Sequence, residues 1–195
     1  MGKFNFIPTG IDGLTVIEPT VFGDARGYFM ETYNSEFAPY ITHLDGTPAG
    51  FVQDNESHSR QGVLRGLHFQ KTNPQGKLVR VTEGEVFDVA VDLRRDSATF
   101  GKWYGILLSA ENKRQFYVPE GFAHGFLVTS PEATFVYKCT RLYDPSDEGG
   151  LLWDDPALGI DWQLPAADVI LSAKDTGRCT LADAPHDFDF FTPLY

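Results

Sequence analysis

The sequence predicts an all-β fold, a barrel or jelly roll with a few short helices, and three observations support this class. Nineteen glycines and twelve prolines are spread evenly along the chain. Between them lie short runs rich in Val, Phe, Tyr, Ile and Thr, which is the pattern of strands joined by turns. No run of comparable length has the periodicity of a helix. A barrel of this kind encloses room for a small ligand, so its inward polar residues are the first candidates for a functional site.

The clearest strand runs from Val86 to Leu93. Because side chains alternate between the two faces of a strand, its apolar residues fall on one face and its carboxylates on the other. One face carries Phe87, Val89, Val91 and Leu93, and the opposite face carries Asp88, Ala90 and Asp92. Similar runs predict further strands at residues 76–81, 103–109, 115–118, 125–129 and 134–140.

Two segments favour short helical turns. The run from Asn34 to Ala38 starts with a capping residue, which we assign to Ser35, and it is closed off by Pro39. A second turn is predicted within residues 171–182. Both predicted helical turns are short, so the prediction of an all-β fold does not change.

Length and composition indicate one soluble domain. The 195 residues are 42% hydrophobic, and no repeat or linker divides them, so we expect a single domain over residues 1–195. No apolar run approaches the roughly 20 residues of a membrane span, and the start lacks an apolar signal core, which predicts a soluble cytoplasmic protein. The two cysteines, Cys139 and Cys179, are expected to be reduced thiols.

The charge balance restricts the partners. Sixteen Lys and Arg residues against 27 Asp and Glu residues give a net charge of −11, which argues against binding to nucleic acid. An anionic ligand must therefore be met by a local cluster of cations. The acidic and aromatic residues 183–195 match no motif, and they could form a disordered tail or a strip packed on the barrel.

The densest motif lies between Gly62 and Gly84. Gly62 precedes His68 by six residues, and Lys77 precedes Gly84 by seven. A second motif is Pro119-Glu120-Gly121-Phe122-Ala123-His124. Together they resemble the two cupin motifs, and the resemblance implies a cupin-like jelly roll.

The departures from the cupin pattern fall on its metal ligands. Gln70 stands where a second histidine is expected, and Lys77 stands where a glutamate is expected. A cation at Lys77 repels a divalent ion and only His68 and His124 remain as soft ligands, so we predict neither a metal nor another cofactor. The other histidines have no recognisable partners and are interpreted as structural or surface residues: His43, His58 and His186.

His68, Lys77 and Arg65 together suit the removal of a proton beside a carbonyl group. Arg65 lies three residues before His68 and would face the other way in a regular strand, unless Gly66 supplies a β-bulge. Such a C–H acid is far weaker than a protonated histidine, whose pKa is about 6.5, so there is a large gap in acidity against proton transfer to the imidazole. Since a base alone cannot close that gap, a cation at the developing enolate oxygen is needed, and Lys77 is the best candidate.

A set of longer motifs resembles the dTDP-4-dehydrorhamnose 3,5-epimerase family from about residue 10 to residue 175. The motifs are Gly23-Asp24-Ala25-Arg26-Gly27-Tyr28-Phe29, Gln53-Asp54-Asn55-Glu56-Ser57, Arg65-Gly66-Leu67-His68-Phe69-Gln70, Gly76-Lys77-Leu78-Val79-Arg80, Pro119-Glu120-Gly121-Phe122-Ala123-His124-Gly125-Phe126 and Leu171-Ser172-Ala173-Lys174-Asp175. The resemblance implies roles for individual residues.

It implies four catalytic residues. His68 is the base and is oriented by Asp175, Tyr137 is the acid on the opposite face of the sugar, and Lys77 lies near the C4 carbonyl. From spacing alone, Tyr137 is better interpreted as a core aromatic residue and Asp175 as a carboxylate in a surface loop.

It also implies a set of residues that bind a dTDP-sugar. A diphosphate requires cations, and a planar guanidinium can pair with it bidentately. The cations in family positions are Arg26, Arg65 and Lys174. Neutral hydrogen bonds are expected from Gln53, Asn55 and Ser57, stacking on thymine from Phe29 and Tyr143, and further contacts from Glu31 and from the inward pair His124 and Asp88.

Members of this family are dimers in which the N-terminal segment of one subunit reaches the other. We therefore expect a homodimer. Whether Arg26 and Phe29 serve their own subunit's site or the partner's stays open at this point.

These residues lead to a hypothesis of function. We expect an epimerase that inverts C3 and C5 of dTDP-4-dehydro-6-deoxy-D-glucose through an enolate, giving dTDP-4-dehydro-L-rhamnose. A relative that inverts one centre alone would use the same residues. Two alternatives of other kinds are a non-catalytic sugar-nucleotide-binding or effector-binding cupin and a metal-dependent cupin oxygenase or isomerase.

Overall fold

The structure, a computed structural model, describes residues 3–184 of the chain. The strands within these residues are, in chain order, β1 (Phe4–Pro8), β2 (Thr15–Pro19), β3 (Phe22–Asp24), β4 (Gly27–Phe29), β5 (Gln53–Arg60), β6 (Leu64–Gln70), β7 (Lys77–Glu83), β8 (Glu85–Asp92), β9 (Trp103–Ser109), β10 (Gln115–Val118), β11 (Phe122–Val128), β12 (Glu132–Cys139) and β13 (Glu148–Gly150). The helical segments are the short 3-10 turns Ser35–Phe37, Ala166–Asp168 and Asp175–Gly177. The all-β prediction is confirmed.

Two antiparallel sheets face each other and form the jelly roll. One has six strands in the order β1-β2-β10-β7-β12-β5, and the other has five in the order β13-β6-β11-β8-β9. Strands β3 and β4 form a separate hairpin. The largest apolar cluster combines both sheets, with Val79 and Phe135 from the first and Val86 and Phe126 from the second. The core therefore lies between the sheets.

Segments outside the sheets cover their outer faces. Leu151 and Trp162, which follow β13, pack on the outer face of the five-stranded sheet. Phe37 and Ile41 pack on the outer face of the six-stranded sheet beside Ile17. Both faces of the central strands are consequently buried.

Strand β8 confirms the predicted alternation. The outer cluster contains Phe87, Val89, Val91 and Leu93, whereas the cluster between the sheets contains Val86 and Ala90. The carboxylates on the inner face, Asp88 and Asp92, are fully buried, and each has a polar partner inside the protein. Asp88 contacts His124, and Asp92 accepts a hydrogen bond from Arg94 Nε at 2.8 Å.

The other predicted runs are confirmed as β7, β9, β10, β11 and β12, with some ends shifted. Sequence reasoning missed β5, which consists entirely of polar residues from Gln53 to Arg60. This strand lies at the edge of its sheet. Its residues alternate between exposed positions and buried or half-buried ones, but both sets are polar, so no apolar stripe marks it as a strand. The short strands β1 to β4 and β13 were also missed.

The first helical turn has a different cap from the one predicted. The turn Ser35–Phe37 is capped by Asn34, whose Oδ1 accepts a hydrogen bond from the Glu36 backbone N–H at 2.7 Å. Asn34 has the extended backbone of a capping residue, so the assignment of the cap to Ser35 is wrong by one position. The second predicted turn is confirmed as Asp175–Gly177.

The acidic segment predicted at residues 183–195 lies outside the described residues, except for Asp183 and Ala184. His186 falls in the same undescribed part. Ala184 is buried in the outer cluster on the five-stranded sheet. Between residues 3 and 184, no helix has the length and apolar character needed to cross a membrane.

A β-bulge in β6 brings two predicted site residues to one side of the strand. His68 lies opposite His124 on β11, and Arg65 lies opposite Phe126, so three steps along β6 match two steps along β11. The extra residue reverses the alternation between Arg65 and His68. Both side chains therefore face the same cavity, which confirms the bulge that the sequence left open.

Gly66 makes this bulge possible. Its φ is +147°, a backbone conformation that side chains rarely adopt. A Cβ atom at Gly66 would lie 2.6 Å from Gly125 Cα and 3.2 Å from the carbonyl oxygen of His124. Strands β6 and β11 can approach this closely only because Gly66 and Gly125 both lack a side chain.

We expect Gly66→Ala to lower the free energy of unfolding by about 2 kcal/mol or more, because the new methyl group is strained and meets backbone. Urea denaturation measures this change. Gly50→Ala is the matched control, because a Cβ atom at Gly50 would have no other atom within 4 Å and the φ of Gly50 is not positive. Its effect should stay below about 0.5 kcal/mol. Equal effects of the two substitutions would contradict the close approach at Gly66.

Candidate active site

A cavity of about 520 Å³ lies between the two sheets. Most of the predicted site residues line it: His68, Asp175, Tyr137, Lys77, Gln53, Asn55, Ser57, Arg65, His124, Tyr143 and Lys174. Four predicted residues do not line it: Arg26, Phe29, Glu31 and Asp88. Residues far apart in the chain thus converge on one space.

The two walls of the cavity come from different sheets. In the five-stranded sheet, His68 on β6 and His124 on β11 are direct cross-strand partners. In the six-stranded sheet, Tyr137 on β12 is the cross-strand partner of Asn55 on β5, and Lys77 starts β7 beside them. A ring bound in the cavity therefore has imidazoles on one side and a phenol and an ammonium on the other.

His68 forms a dyad with Asp175. The distance from His68 Nε2 to Asp175 Oδ1 is 2.5 Å, and Ser172 Oγ donates to the other carboxylate oxygen at 2.8 Å. Burial alone would raise the pKa of Asp175, but the hydrogen bonds from His68 and Ser172 and the charge of Arg178 lower it below its ordinary value. Asp175 is only 3% exposed, so the surface position inferred from spacing alone is wrong.

The dyad determines which nitrogen of His68 can act as a base. An ionised Asp175 can only accept a hydrogen bond, so Nε2 carries the proton in the neutral imidazole. The other nitrogen, Nδ1, then holds the free lone pair. It makes no hydrogen bond to residues 3–184.

His124 has a carboxylate partner of its own. Its Nε2 lies 2.8 Å and 3.0 Å from the two carboxylate oxygens of Asp88. Asp88 sits on β8, in the strand next to β11, and it is fully buried behind the imidazole. Contrary to expectation, Asp88 does not line the cavity; it pairs with the imidazole of His124, which does.

Lys77 is the cation on the opposite wall. Its ammonium group makes no hydrogen bond or ion pair within residues 3–184, and it lines the cavity, where a ligand can reach it. Burial lowers the pKa of Lys77 below its ordinary value, while the nearby Cys139, Glu148 and Asp88 oppose this shift. The ammonium is therefore poorly hydrated, which strengthens its attraction to an anion.

Tyr137 carries a phenol that is protonated at neutral pH. Burial is the main cause that raises the pKa of Tyr137, and the charge of Arg65 opposes it. Its ring lies 5.8 Å from the Phe135 ring, between centroids. The core environment inferred from spacing is thus partly right, but the side chain also lines the cavity.

The polar residues of β5 complete the six-stranded wall. Gln53 Nε2 donates to Asn55 Oδ1 at 2.9 Å, and Gln53 Oε1 accepts from the backbone N–H of Tyr143 at 2.8 Å. Ser57 Oγ is buried and has no hydrogen-bond partner among residues 3–184. A buried hydroxyl that faces a cavity in this way is suited to bind a polar ligand.

Sequence reasoning missed Glu148, which joins several cavity residues. Glu148 Oε1 lies 2.6 Å from Lys174 Nζ and also pairs with Arg178, and Glu148 Oε2 accepts from Tyr143 Oη at 2.9 Å. Burial would raise the pKa of Glu148, but these partners and the charge of His68 lower it. The signal in the sequence is the glycine pair after Glu148, which indicates a close backbone approach.

Gln70 also lines the cavity, although it holds loops together. Its Nε2 donates to the carbonyl oxygen of Asn73 at 2.6 Å, and its Oε1 accepts from the backbone N–H of Asp144 at 2.8 Å. Throughout residues 3–184, no group of three or more His, Cys, Asp or Glu residues is placed to hold a metal ion.

The N-terminal residues predicted to bind substrate lie away from this cavity. Arg26 Nη2 pairs with Asp24 Oδ2 at 2.6 Å, and the Arg26 side chain is 90% exposed. Phe29 is 64% exposed, and Glu31 pairs with Lys3. These residues do not line the cavity of the same chain, and Arg26 and Phe29 belong to the hairpin of β3 and β4, which is separate from both large sheets.

Comparison with known proteins now identifies the family. A family model described as dTDP-4-dehydrorhamnose 3,5-epimerase matches residues 8–183. The chain belongs to this family. The dTDP-4-dehydrorhamnose 3,5-epimerase of Methanothermobacter thermautotrophicus is 55% identical over 186 residues, which cover 95% of this chain and 98% of the relative. The chain is thus an isomerase of the epimerase class.

Two further comparisons concern the fold and the number of sugar carbons that such enzymes invert. The crystal structure of dTDP-6-deoxy-D-glucose-3,5-epimerase from Legionella pneumophila, in complex with dTDP-4-keto-L-rhamnose, has a TM-score of 0.88 and 50% identity, and the match covers 95% of this chain and 96% of that one. A dTDP-4-dehydrorhamnose 3-epimerase from Streptomyces niveus is 42% identical over 179 residues, 91% of this chain and 84% of the relative. The resemblance of the sequence motifs to the dTDP-4-dehydrorhamnose 3,5-epimerase family is confirmed.

Proposed function

We propose that this epimerase inverts C3 and C5 of dTDP-4-dehydro-6-deoxy-D-glucose and so forms dTDP-4-dehydro-L-rhamnose. The observation that carries the proposal is the pair of opposed walls: His68 faces Tyr137 across a cavity of about 520 Å³. Each inversion must remove a proton from one face of the ring and return one to the other face. The 55% identity to a relative named as a 3,5-epimerase favours two centres over one.

His68 is the base in this proposal. Its Nδ1 takes the proton from the carbon next to the C4 carbonyl, and the electron pair of the broken C–H bond moves onto O4 to form the enolate. The imidazolium that results keeps its Nε2 proton hydrogen-bonded to Asp175. The carboxylate stabilises this cation as it forms, so Asp175 lowers the barrier to the proton transfer.

Lys77 stabilises the enolate. An ammonium that already faces the cavity needs no reorganisation when negative charge develops on O4, so its interaction is stronger in the transition state than with the neutral ketone. This contribution closes part of the gap in acidity between the C–H acid and the imidazole. His124, held by Asp88, supplies another donor on the opposite wall.

Tyr137 is the acid. It gives its phenolic proton to the carbon from the face opposite His68, the enolate collapses back to the ketone, and the configuration is inverted. The raised pKa of Tyr137, caused by burial, keeps this proton in place at neutral pH. Solvent then returns a proton to the phenolate and removes one from the imidazolium.

The nucleotide binds at the mouth of the cavity. Arg65 and Lys174 are the cations available for the diphosphate, and the ring of Tyr143, which is 46% exposed, offers a stacking surface for thymine. Lys174 Nζ lies 3.2 Å from Tyr143 Oη, so the cation and the ring lie next to each other. We place the reaction in the cytoplasm, where the free thiols of Cys139 and Cys179 stay reduced.

The active form is proposed to be a homodimer. The hairpin of β3 and β4 exposes Phe22, Tyr28 and Phe29 at 56%, 59% and 64%, which is unusual for aromatic residues on a monomer. Arg26 lies in the turn of the same hairpin. A second subunit that receives this hairpin would bury the aromatic residues and gain Arg26 and Phe29 at its own cavity.

In D2O we expect the enzyme to place deuterium at both C3 and C5 of the product, because both new protons come from groups that exchange with solvent. Mass spectrometry and proton NMR measure the label. His68→Asn should abolish incorporation at both carbons, and turnover by the unmodified enzyme should persist in a chelator. Label at one carbon alone would mean a single-centre epimerase, and no label at all would mean a binding protein.

Tyr137→Phe should reduce formation of the inverted product by about 10²–10⁴-fold, because the acid on the second face is lost. Exchange of the substrate proton should continue, since His68 can return a deuteron to the face from which it took the proton. Deuterium content and configuration are followed together by NMR. Tyr104→Phe is the control, since Tyr104 packs in the core outside the cavity. Loss of exchange and inversion in equal measure would contradict the assignment of Tyr137 as the acid.

Mixing two weakened variants tests the exchange of the hairpin. Arg26→Ala and His68→Asn should each have low activity alone. If Arg26 serves the partner's cavity, random mixing after unfolding and refolding restores up to about one quarter of normal activity, because half of the dimers are mixed and each has one intact site. The recovered activity is measured as the initial rate at equal total protein concentration. No recovery in dimers shown to be mixed would place Arg26 in its own subunit's site.

A further inference from the structure

Arg178 lies behind the dyad, outside the cavity. It follows the turn Asp175–Gly177, and its side chain is 12% exposed. The side chain passes over Gly150, where a Cβ atom would lie 2.7 Å from Arg178 Nε and 2.8 Å from Cδ. Gly150 is in turn the cross-strand partner of His68. The guanidinium therefore occupies space that is open only because β13 ends in glycine.

One guanidinium joins two buried carboxylates. Arg178 Nη2 pairs with Glu148 Oε1 and lies 3.9 Å from Asp175 Oδ1, the same oxygen that is bonded to His68. Arg178 does not line the cavity. It can act on the reaction only through Asp175 and Glu148.

The position of Arg178 solves an electrostatic problem. The side chains of Asp175 and Glu148 are both buried and both face Arg178 Nη2, and two neighbouring carboxylates repel each other when both are ionised. Lys174 also pairs with Glu148, but Arg178 is the cation that reaches both carboxylates. A protonated Asp175 carries no negative charge, so it would stabilise an imidazolium far less. A fixed cation between them removes this conflict.

Other ionisable groups surround the dyad. His68 pairs with Asp175 from β6, Arg178 faces it from the segment after it, and Glu148 on β13 shares Arg178 Nη2 with it. The remaining titratable or charged residues that line the cavity are Arg65, Lys77, His124, Tyr137, Tyr143 and Lys174. Among the described residues, Arg178 is the one Arg or Lys within 4 Å of the Asp175 carboxylate.

We propose that Arg178 is a positioning residue of this epimerase, which keeps Asp175 and Glu148 ionised and in place behind the base. The inference rests on the proposed function of His68 and extends it. The active state requires an ionised Asp175 and a neutral His68. Removing a nearby cation favours protonation of Asp175, so the acid limb of the rate profile moves to higher pH.

The test is the pH dependence of kcat/KM and kcat for Arg178→Gln, measured from pH 5.5 to 9 by deuterium incorporation. We expect the acid limb to move up by about one pH unit, with a rate near pH 6 that is about tenfold lower and a smaller deficit at high pH. Arg178→Lys keeps the charge and should leave the limb within a few tenths of a unit. Arg114→Gln, which removes an exposed ion pair with Glu18, is the control for a general loss of charge.

Three outcomes overturn the proposal: a loss of rate that is uniform across the pH range, an unshifted limb in Arg178→Gln, or an equal shift in Arg114→Gln. If Arg178→Gln does not fold, the double variant Glu148→Gln with Arg178→Gln removes a carboxylate together with the cation. It must then fold and keep its acid limb near that of the unmodified enzyme. Absence of exchange in the unmodified enzyme would instead refute the proposed function.

Discussion

The hydrogen bond between His68 Nε2 and Asp175 Oδ1 is the interaction on which the site depends. It joins residues 107 positions apart, one on β6 and one in the segment that covers the five-stranded sheet. The bond fixes the tautomer of the imidazole and directs its free nitrogen away from the carboxylate. It forms only where the bulge at Gly66 and the packing of residues after β13 are both in place, so stability of the fold and competence of the base are coupled.

An acidic chain can still hold an anionic substrate because its charges are sorted by position. The net charge is −11, yet the cavity is lined by Arg65, Lys77 and Lys174. The carboxylates near the cavity accept hydrogen bonds or ion pairs from residues of the chain, as Asp88 does with His124 and Glu148 does with Lys174. Local arrangement, and not total charge, sets the potential that a sugar nucleotide meets.

Strands with a buried apolar face could be predicted, and strands that line the cavity could not. Strand β8 has Val, Phe and Leu at alternate positions, and its limits and faces follow from the sequence. Strand β5 alternates between residues that face the cavity and residues that face solvent, and both sets are polar. The reason is functional: a wall that binds a polar ligand gives up the apolar stripe that marks a strand.

By itself the sequence determined the all-β class, the alternation within the buried strands, and a set of motifs specific enough to name a family. The tertiary structure decided what those motifs do together. It placed Asp175 against His68, set Asp88 behind His124 instead of in the cavity, and brought Glu148 and Arg178 to the dyad. These contacts depend on strand register and on the path of the segment after β13, which spacing along the chain does not encode because a one-residue slip turns every side chain to the other face.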